Sequence, residues 1–242
     1  RTLARHVGII PVPYQGPRAL KAAIAAVQAA LDRGQVVLIF PEAQLSRNGL
    51  LGPFYRGLEV MMKGRAEVPV VPVYLDQVWG SLFSHSGGRF FRKRPQGWRR
   101  RVVVVFGPPV PPPITAFEVR QAVQAASVQA AEHAPKASRL PETIDSTLPQ
   151  WEHPSLGLLS VSTLDFEVGE IRQVGQKPGT TGQAPPGVAL RIVDDAGRPL
   201  PAEVEGRIQV RLPGRAGWIE TDRRGCLDRD GFLRHSGTDA PA

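Results

Sequence analysis

A helical repeat that runs straight into a short apolar stretch is the strongest restraint on how this chain folds. Leu20, Ile24, Val27 and Leu31 recur at helical spacing across residues 17–33. Pro17 suits a first helical turn and Gly34 a C-terminal cap, so the pattern predicts a helix. Val36, Val37, Leu38, Ile39 and Phe40 follow at once, a run that suits a strand buried on both faces. Further apolar strands are expected at residues 70–75 and 102–106, and an alanine-rich helix at 117–134. This alternation predicts an α/β fold whose mostly parallel sheet is covered by helices.

Across residues 135–155 the apolar periodicity gives way to Pro, Ser, Thr and Glu, the composition of a linker. Beyond it, residues 188–193 and 204–211 alternate apolar and polar side chains around an Asp-Asp-Ala-Gly-Arg-Pro turn. The expected organisation is therefore a first domain at 1–134, a linker at 135–155 and a small mostly-β subdomain at 156–242. No internal repeat is visible.

With 242 residues, 42% of them hydrophobic, the chain can bury a core in each of two small domains. A formal charge of +8 favours polyanionic partners: nucleic acid, an anionic bilayer surface or a phosphorylated substrate. The single cysteine, Cys226, excludes an internal disulfide framework and offers no metal-ligand spacing, so no metal site is expected. No apolar run approaches the roughly 18 to 20 residues that span a bilayer. Because the chain starts at Arg1 in what reads as the middle of an element, it is expected to be a fragment or a processed product.

The run Leu38-Ile39-Phe40-Pro41-Glu42-Ala43-Gln44-Leu45-Ser46-Arg47-Asn48-Gly49 ends a strand in Pro-Glu and continues into a polar loop. Such a loop sets a carboxylate and a guanidinium at the carboxyl edge of a sheet, where α/β proteins bind ligands. Arg47 could grip a phosphate through its fork, and Glu42 could accept a hydroxyl. The stretch resembles the third conserved block of the lysophospholipid and glycerol-3-phosphate acyltransferase family, a Phe-Pro-Glu-Gly core followed by Ser or Thr, Arg and Gly. Residues 68–73 resemble that family's fourth block, and Gly8-Ile9-Ile10-Pro11-Val12 its second. With Trp79-Gly80-Ser81 and Phe106-Gly107-Pro108-Pro109, the resemblance extends over about residues 1–134.

The resemblance implies transfer of a fatty acyl group from a thioester to a lysophospholipid or glycerol phosphate. It assigns the acceptor to Phe40, Pro41, Glu42, Arg47 and Gly49. The donor would be acyl-CoA or acyl carrier protein, with no cofactor held by this chain. Three departures stand out. Ala43 replaces the family's glycine, and Tyr14-Gln15 stands where the second block often has arginine. The family's base, a histidine in His-x4-Asp, has no counterpart, since none of the five histidines has an aspartate five positions on. His6, just before the second block, reads as a surface or packing residue. No catalytic residue is assigned, and the chain alone is expected to be inactive.

Residues 89–101 read Arg-Phe-Phe-Arg-Lys-Arg-Pro-Gln-Gly-Trp-Arg-Arg-Arg. Phe90, Phe91 and Trp98 could sink into a headgroup boundary while Arg92, Lys93 and Arg94 meet anionic lipid. Membrane docking is preferred to nucleic-acid binding, and a solvated basic loop is the plainer alternative. The expected location is the cytoplasm, peripheral to the inner face of the cytoplasmic membrane.

Lys177-Pro178-Gly179-Thr180-Thr181-Gly182, then Arg191-Ile192-Val193-Asp194, Gly206-Arg207-Ile208 and Asp230-Gly231-Phe232, resemble the β-rich subdomain of adenylate-forming acyl-activating ligases. The resemblance covers about residues 156–237. The Gly-Thr-Thr-Gly loop lacks the Lys-Gly that follows the family's ATP loop, and reads as structural. Arg223 occupies the place of the family's ribose-binding aspartate, with Asp222 one position early. The implied ATP site is incomplete. Some bacterial proteins join such a transferase to such a ligase, and this chain resembles both in that order.

Overall fold

The structure, a computed structural model, describes residues 8–10, 17–81, 84–86, 101–133, 141, 143–168 and 171–237. The first helix, α1 (Pro17–Asp32), ends as expected at Gly34, whose positive φ lets Gly34 N–H reach Leu31 O and Gln35 N–H reach Ala30 O. Its inward face is Ala23, Val27 and Ala30, with Leu20 exposed. Those small side chains let the short helix α2 (Gly57–Met62) approach, and Gln28 Nε2 donates to Val60 O at 3.0 Å.

Residues 36–40, expected as a buried strand, are extended chain with no ladder partner among the described residues. Val36, Leu38 and Phe40 are 100, 71 and 67% exposed, while Ile39 packs on the core beneath. An unbroken apolar run reads as burial on both faces, but this segment covers the core with one face only.

The strands β1 (Val73–Asp76) and β2 (Val103–Phe106) pair antiparallel, with Val73 opposite Phe106 and Asp76 opposite Val103. All sheet pairings among the described residues are antiparallel, in place of the parallel sheet expected. The apolar runs do not encode strand direction, and Leu75, Val104 and Phe106 face outward. Helix α3 (Ala116–His133) opens on an N-cap, with Glu118 N–H donating to Thr115 Oγ1 at 3.1 Å and the Thr115 hydroxyl donating to Glu118 Oε2 at 3.0 Å. It packs on β1 and β2, burying Val119 and Val123 with Phe54 and Leu58.

Part of the segment read as linker is ordered strand. β3 (Gln150–His153) pairs with β4 (Gly157–Val161), because Trp151 has a core to enter. After the hairpin β5 (Phe166–Val168) and β6 (Ile171–Gln173) comes a four-stranded antiparallel sheet in the order β10-β9-β8-β7. Its strands are β7 (Ala189–Val193), β8 (Gly206–Arg211), β9 (Ile219–Leu227) and β10 (Leu233–His235), close to the sequence pattern. Together they form a curled antiparallel half-barrel in a mixed α/β chain. Trp151, Leu159, Leu190, Ile208, Val210 and Leu233 fill it, each large aliphatic side chain contributing about 1.5–3 kcal/mol.

The two halves meet along α3. Gln121 Nε2 donates to Leu190 O at 2.8 Å, and buried Gln124 Nε2 to Val188 O at 2.7 Å. The sequence marks α3 as alanine-rich, and those small residues bring its polar side chains against β7.

Candidate functional site

The chain turns sharply after Phe40. Ala43 N–H bonds Phe40 O at 3.1 Å, and Ala43 itself sits at φ 52°. A left-handed alanine costs roughly 1–2 kcal/mol, which is the physical sense of a glycine at this position. Pro41 O accepts Tyr55 N–H at 3.1 Å, so the loop between them returns on itself.

Glu42 points back into that loop. Its Oε2 accepts Gly52 N–H at 2.7 Å, and burial pushes its carboxyl above the usual range against the opposing pull of Gly52 N–H and Arg120. Arg120, on α3 and 2% exposed, donates to Gly52 O at 3.0 Å and Leu51 O at 2.7 Å. Burial lowers its guanidinium to about 10, offset by Glu42, Asp230 and Asp228. Gly231 lies so close that an added Cβ would meet Arg120 Nη1 at 1.9 Å.

Arg47 is half-buried, with Nη1 3.1 Å from His85 Nδ1. A guanidinium carries five N–H donors, and that contact uses one. Its backbone N–H bonds Gln173 Oε1 at 2.6 Å. Asn48 beside it is wholly buried, with Oδ1 accepting Leu50 N–H at 3.1 Å. Gly49 takes φ 77°, and a Cβ there would lie 2.6 Å from Pro141 Cγ and 3.0 Å from Trp79 Cε2.

Glu42 and Gly49 thus shape the loop, Arg47 hangs from it toward His85, and Phe40 stands at its solvent edge. A groove of about 570 Å³ lined by Arg56, Glu59, Lys63, Arg65, Pro112 and Ile114 includes none of these residues. Phe90, Phe91, Arg92, Lys93, Arg94 and Trp98 lie outside the described residues. Asn48, Arg120, His85 and Gln173 escaped the sequence reading. Only Asn48 carried a signal, the turn-forming Asn-Gly pair.

In the C-terminal unit, Ser160 Oγ lies 2.8 Å from Thr181 Oγ1, and Thr180 Oγ1 donates to Lys177 O at 2.9 Å. Lys177 Nζ bridges Asp228 at 2.5 Å and Asp230 at 2.6 Å over the Phe232 ring. Asp222 and Arg223 alternate along β9, with Asp222 exposed 3.7 Å from His153 Nε2. Among the described residues no group of His, Cys, Asp and Glu could hold a metal ion, and no helix is long and apolar enough to cross a membrane.

Residues 1–76 match the Acyltransferase family model, a stretch that contains the whole loop from Phe40 to Gly49. Among solved structures, apo MatB from Rhodopseudomonas palustris is 22% identical, over 37% of this chain and 20% of its own, at a TM-score of 0.31. A Rhodopseudomonas palustris protein described as a long-chain-fatty-acid CoA ligase is 23% identical, over 36% and 24%, at 0.30. A double mutant of o-succinylbenzoate CoA synthetase from Bacillus subtilis is 25% identical, over 25% and 16%, at 0.23. The chain spans a quarter or less of the length of each.

Proposed function

We propose, from the acyltransferase match over residues 1–76, that this chain is part of a lipid-metabolic enzyme that moves a fatty acyl group from a thioester to a lysophospholipid or glycerol phosphate. In that reaction an acceptor hydroxyl loses its proton and attacks the thioester carbonyl; the new ester forms as the carbon–sulfur bond breaks and the thiol leaves. Acyl-CoA or acyl carrier protein would supply the thioester.

The observation that carries this reading is Arg47, held by its own backbone on a loop that the matched segment contains. Its guanidinium would pair with the acceptor phosphate, with Gly49 letting the chain turn beside it and Phe40 and Pro41 forming the loop's outer edge. Glu42 would then act chiefly through Gly52, keeping the loop in shape. The sequence contains no His-x4-Asp, so the base that the family uses on the acceptor hydroxyl is not among these residues, and turnover by these 242 residues alone is expected to match a no-enzyme blank.

Titration with glycerol 3-phosphate tests the site without turnover. Arg47→Ala should weaken binding about ten- to hundredfold, and Arg47→Lys should recover part of it, since an ammonium keeps the charge without the fork. Equal affinity in parent and Arg47→Ala would remove the assignment. By its motif order the C-terminal unit would be part of an AMP-binding, acyl-activating ligase with an incomplete ATP site. A net charge of +8 supports a second reading, a non-catalytic product that adheres to the inner face of the cytoplasmic membrane.

A further inference from the structure

The loop that carries Arg47 is fastened from the other half of the chain. Gln173, the last residue of β6, is buried, and its carboxamide uses both ends. Its Oε1 accepts Arg47 N–H at 2.6 Å, while its Nε2 donates to Asn48 Oδ1 at 2.5 Å. Asn48 in turn donates from Nδ2 to Thr163 Oγ1 at 2.8 Å, and its backbone O accepts Thr143 Oγ1 at 2.5 Å.

Thr163 is itself fixed. Its N–H bonds Gly175 O at 2.9 Å, and a Cβ on Gly175 would lie 2.2 Å from Thr163 Oγ1. A carboxamide has one acceptor and one donor end, and this site requires both at once. Buried polar groups cost free energy unless bonded, so the network has few alternatives and ties two consecutive loop residues to one side chain.

We propose that Gln173 is a positioning residue for the acceptor site: reaching across from the C-terminal unit, it fixes the backbone of Arg47 so that the guanidinium is presented to the acceptor phosphate. This rests on the reading of Arg47 as the phosphate contact. On that reading the C-terminal unit is a working part of the transferase, because the arginine's starting point is set by β6.

The test uses the full 242-residue chain, amide hydrogen exchange and titration with glycerol 3-phosphate. Gln173→Met keeps the volume but loses both hydrogen bonds. It should speed exchange at the Arg47 amide at least about tenfold and weaken glycerol 3-phosphate binding about tenfold, while the amides of β7 to β9 stay protected. Gln173→Glu keeps an acceptor for Arg47 N–H but sets a carboxylate oxygen against Asn48 Oδ1, so it should recover only part of that amide's protection and of the affinity. Unchanged exchange at Arg47 in Gln173→Met overturns the proposal, as does faster exchange spread evenly through β8, or full affinity despite faster exchange at Arg47. If the parent binds no glycerol 3-phosphate, or Arg47→Ala binds it equally, while Gln173→Met still frees the Arg47 amide, the acceptor reading falls and the Gln173 tether stands.

Discussion

Glu42 and Arg120 hold one residue from opposite ends: Gly52 gives its N–H to Glu42 Oε2 at 2.7 Å and receives Arg120 Nε at its O at 3.0 Å. The carboxylate on the loop and the guanidinium on α3 thus share a single peptide segment between them. Any ligand bound by this loop meets a shape set by that pair.

Replacing Arg120 by Met should lower stability by about 3 kcal/mol. The change leaves Leu51 O and Gly52 O without their donor and the buried Glu42 without its opposite charge. Urea unfolding at neutral pH measures this, and a loss below about 1 kcal/mol would show that the pin is dispensable.

His235 should make stability pH-dependent on the acid side. It lies edge-on to Trp151 at 4.6 Å, and burial, aided by Arg223, lowers its pKa from 6.5 to about 4. The folded chain favours the neutral ring, so this contribution is complete above about 6.5 and is lost as pH falls toward 4. Buried Glu42 has the opposite sign, its raised carboxyl costing stability as pH rises through the carboxylate range and beyond. Urea midpoints from pH 7 to 4, compared between parent and His235→Gln, isolate the histidine; parallel curves would dismiss it.

Gly182→Ala should cost about 3 kcal/mol or more, since a Cβ there would lie 1.9 Å from Val161 O at φ 92°. Gly179→Ala, three residues earlier with open space around it, should cost only about 1–2 kcal/mol from its positive φ. Thermal melts of the two variants check the order, and equal losses would mean the loop yields.

The aromatic and basic residues at 89–101 should give salt-sensitive binding to anionic vesicles. Screening lengths shorten from about 10 Å at 0.1 M salt to about 3 Å at 1 M, so cosedimentation should fall across that range. Equal binding to neutral vesicles would point away from the cations.

What the sequence revealed, and what it hid, follows from how local each signal was. α1, α3, β7 and β8 were legible because their periodicity and caps lie within a few residues of themselves. The strand expected at 36–40 failed because an apolar run records burial without recording partners, and the direction of β1 against β2 is likewise a tertiary fact. Glu42, Arg47 and Gly49 were nominated through an ordered motif, and one loop carries all three. Gln173 could not be nominated, since a lone glutamine ending a three-residue strand looks like any other until Asn48 is set against it.

The bond between Arg47 and Gln173 spans 126 residues, and that separation sets a clock during synthesis. At about 5–20 residues per second, the ribosome adds the partner roughly 6 to 25 s after Arg47 is made. Through that interval the nascent loop waits with an unanswered Arg47 N–H and a polar Asn48 that has no buried place to go. A first half translated in advance of its own fastening lacks both bonds from Gln173 until β6 is made, and separate expression of residues 1–134 should leave the Arg47 amide unprotected from exchange.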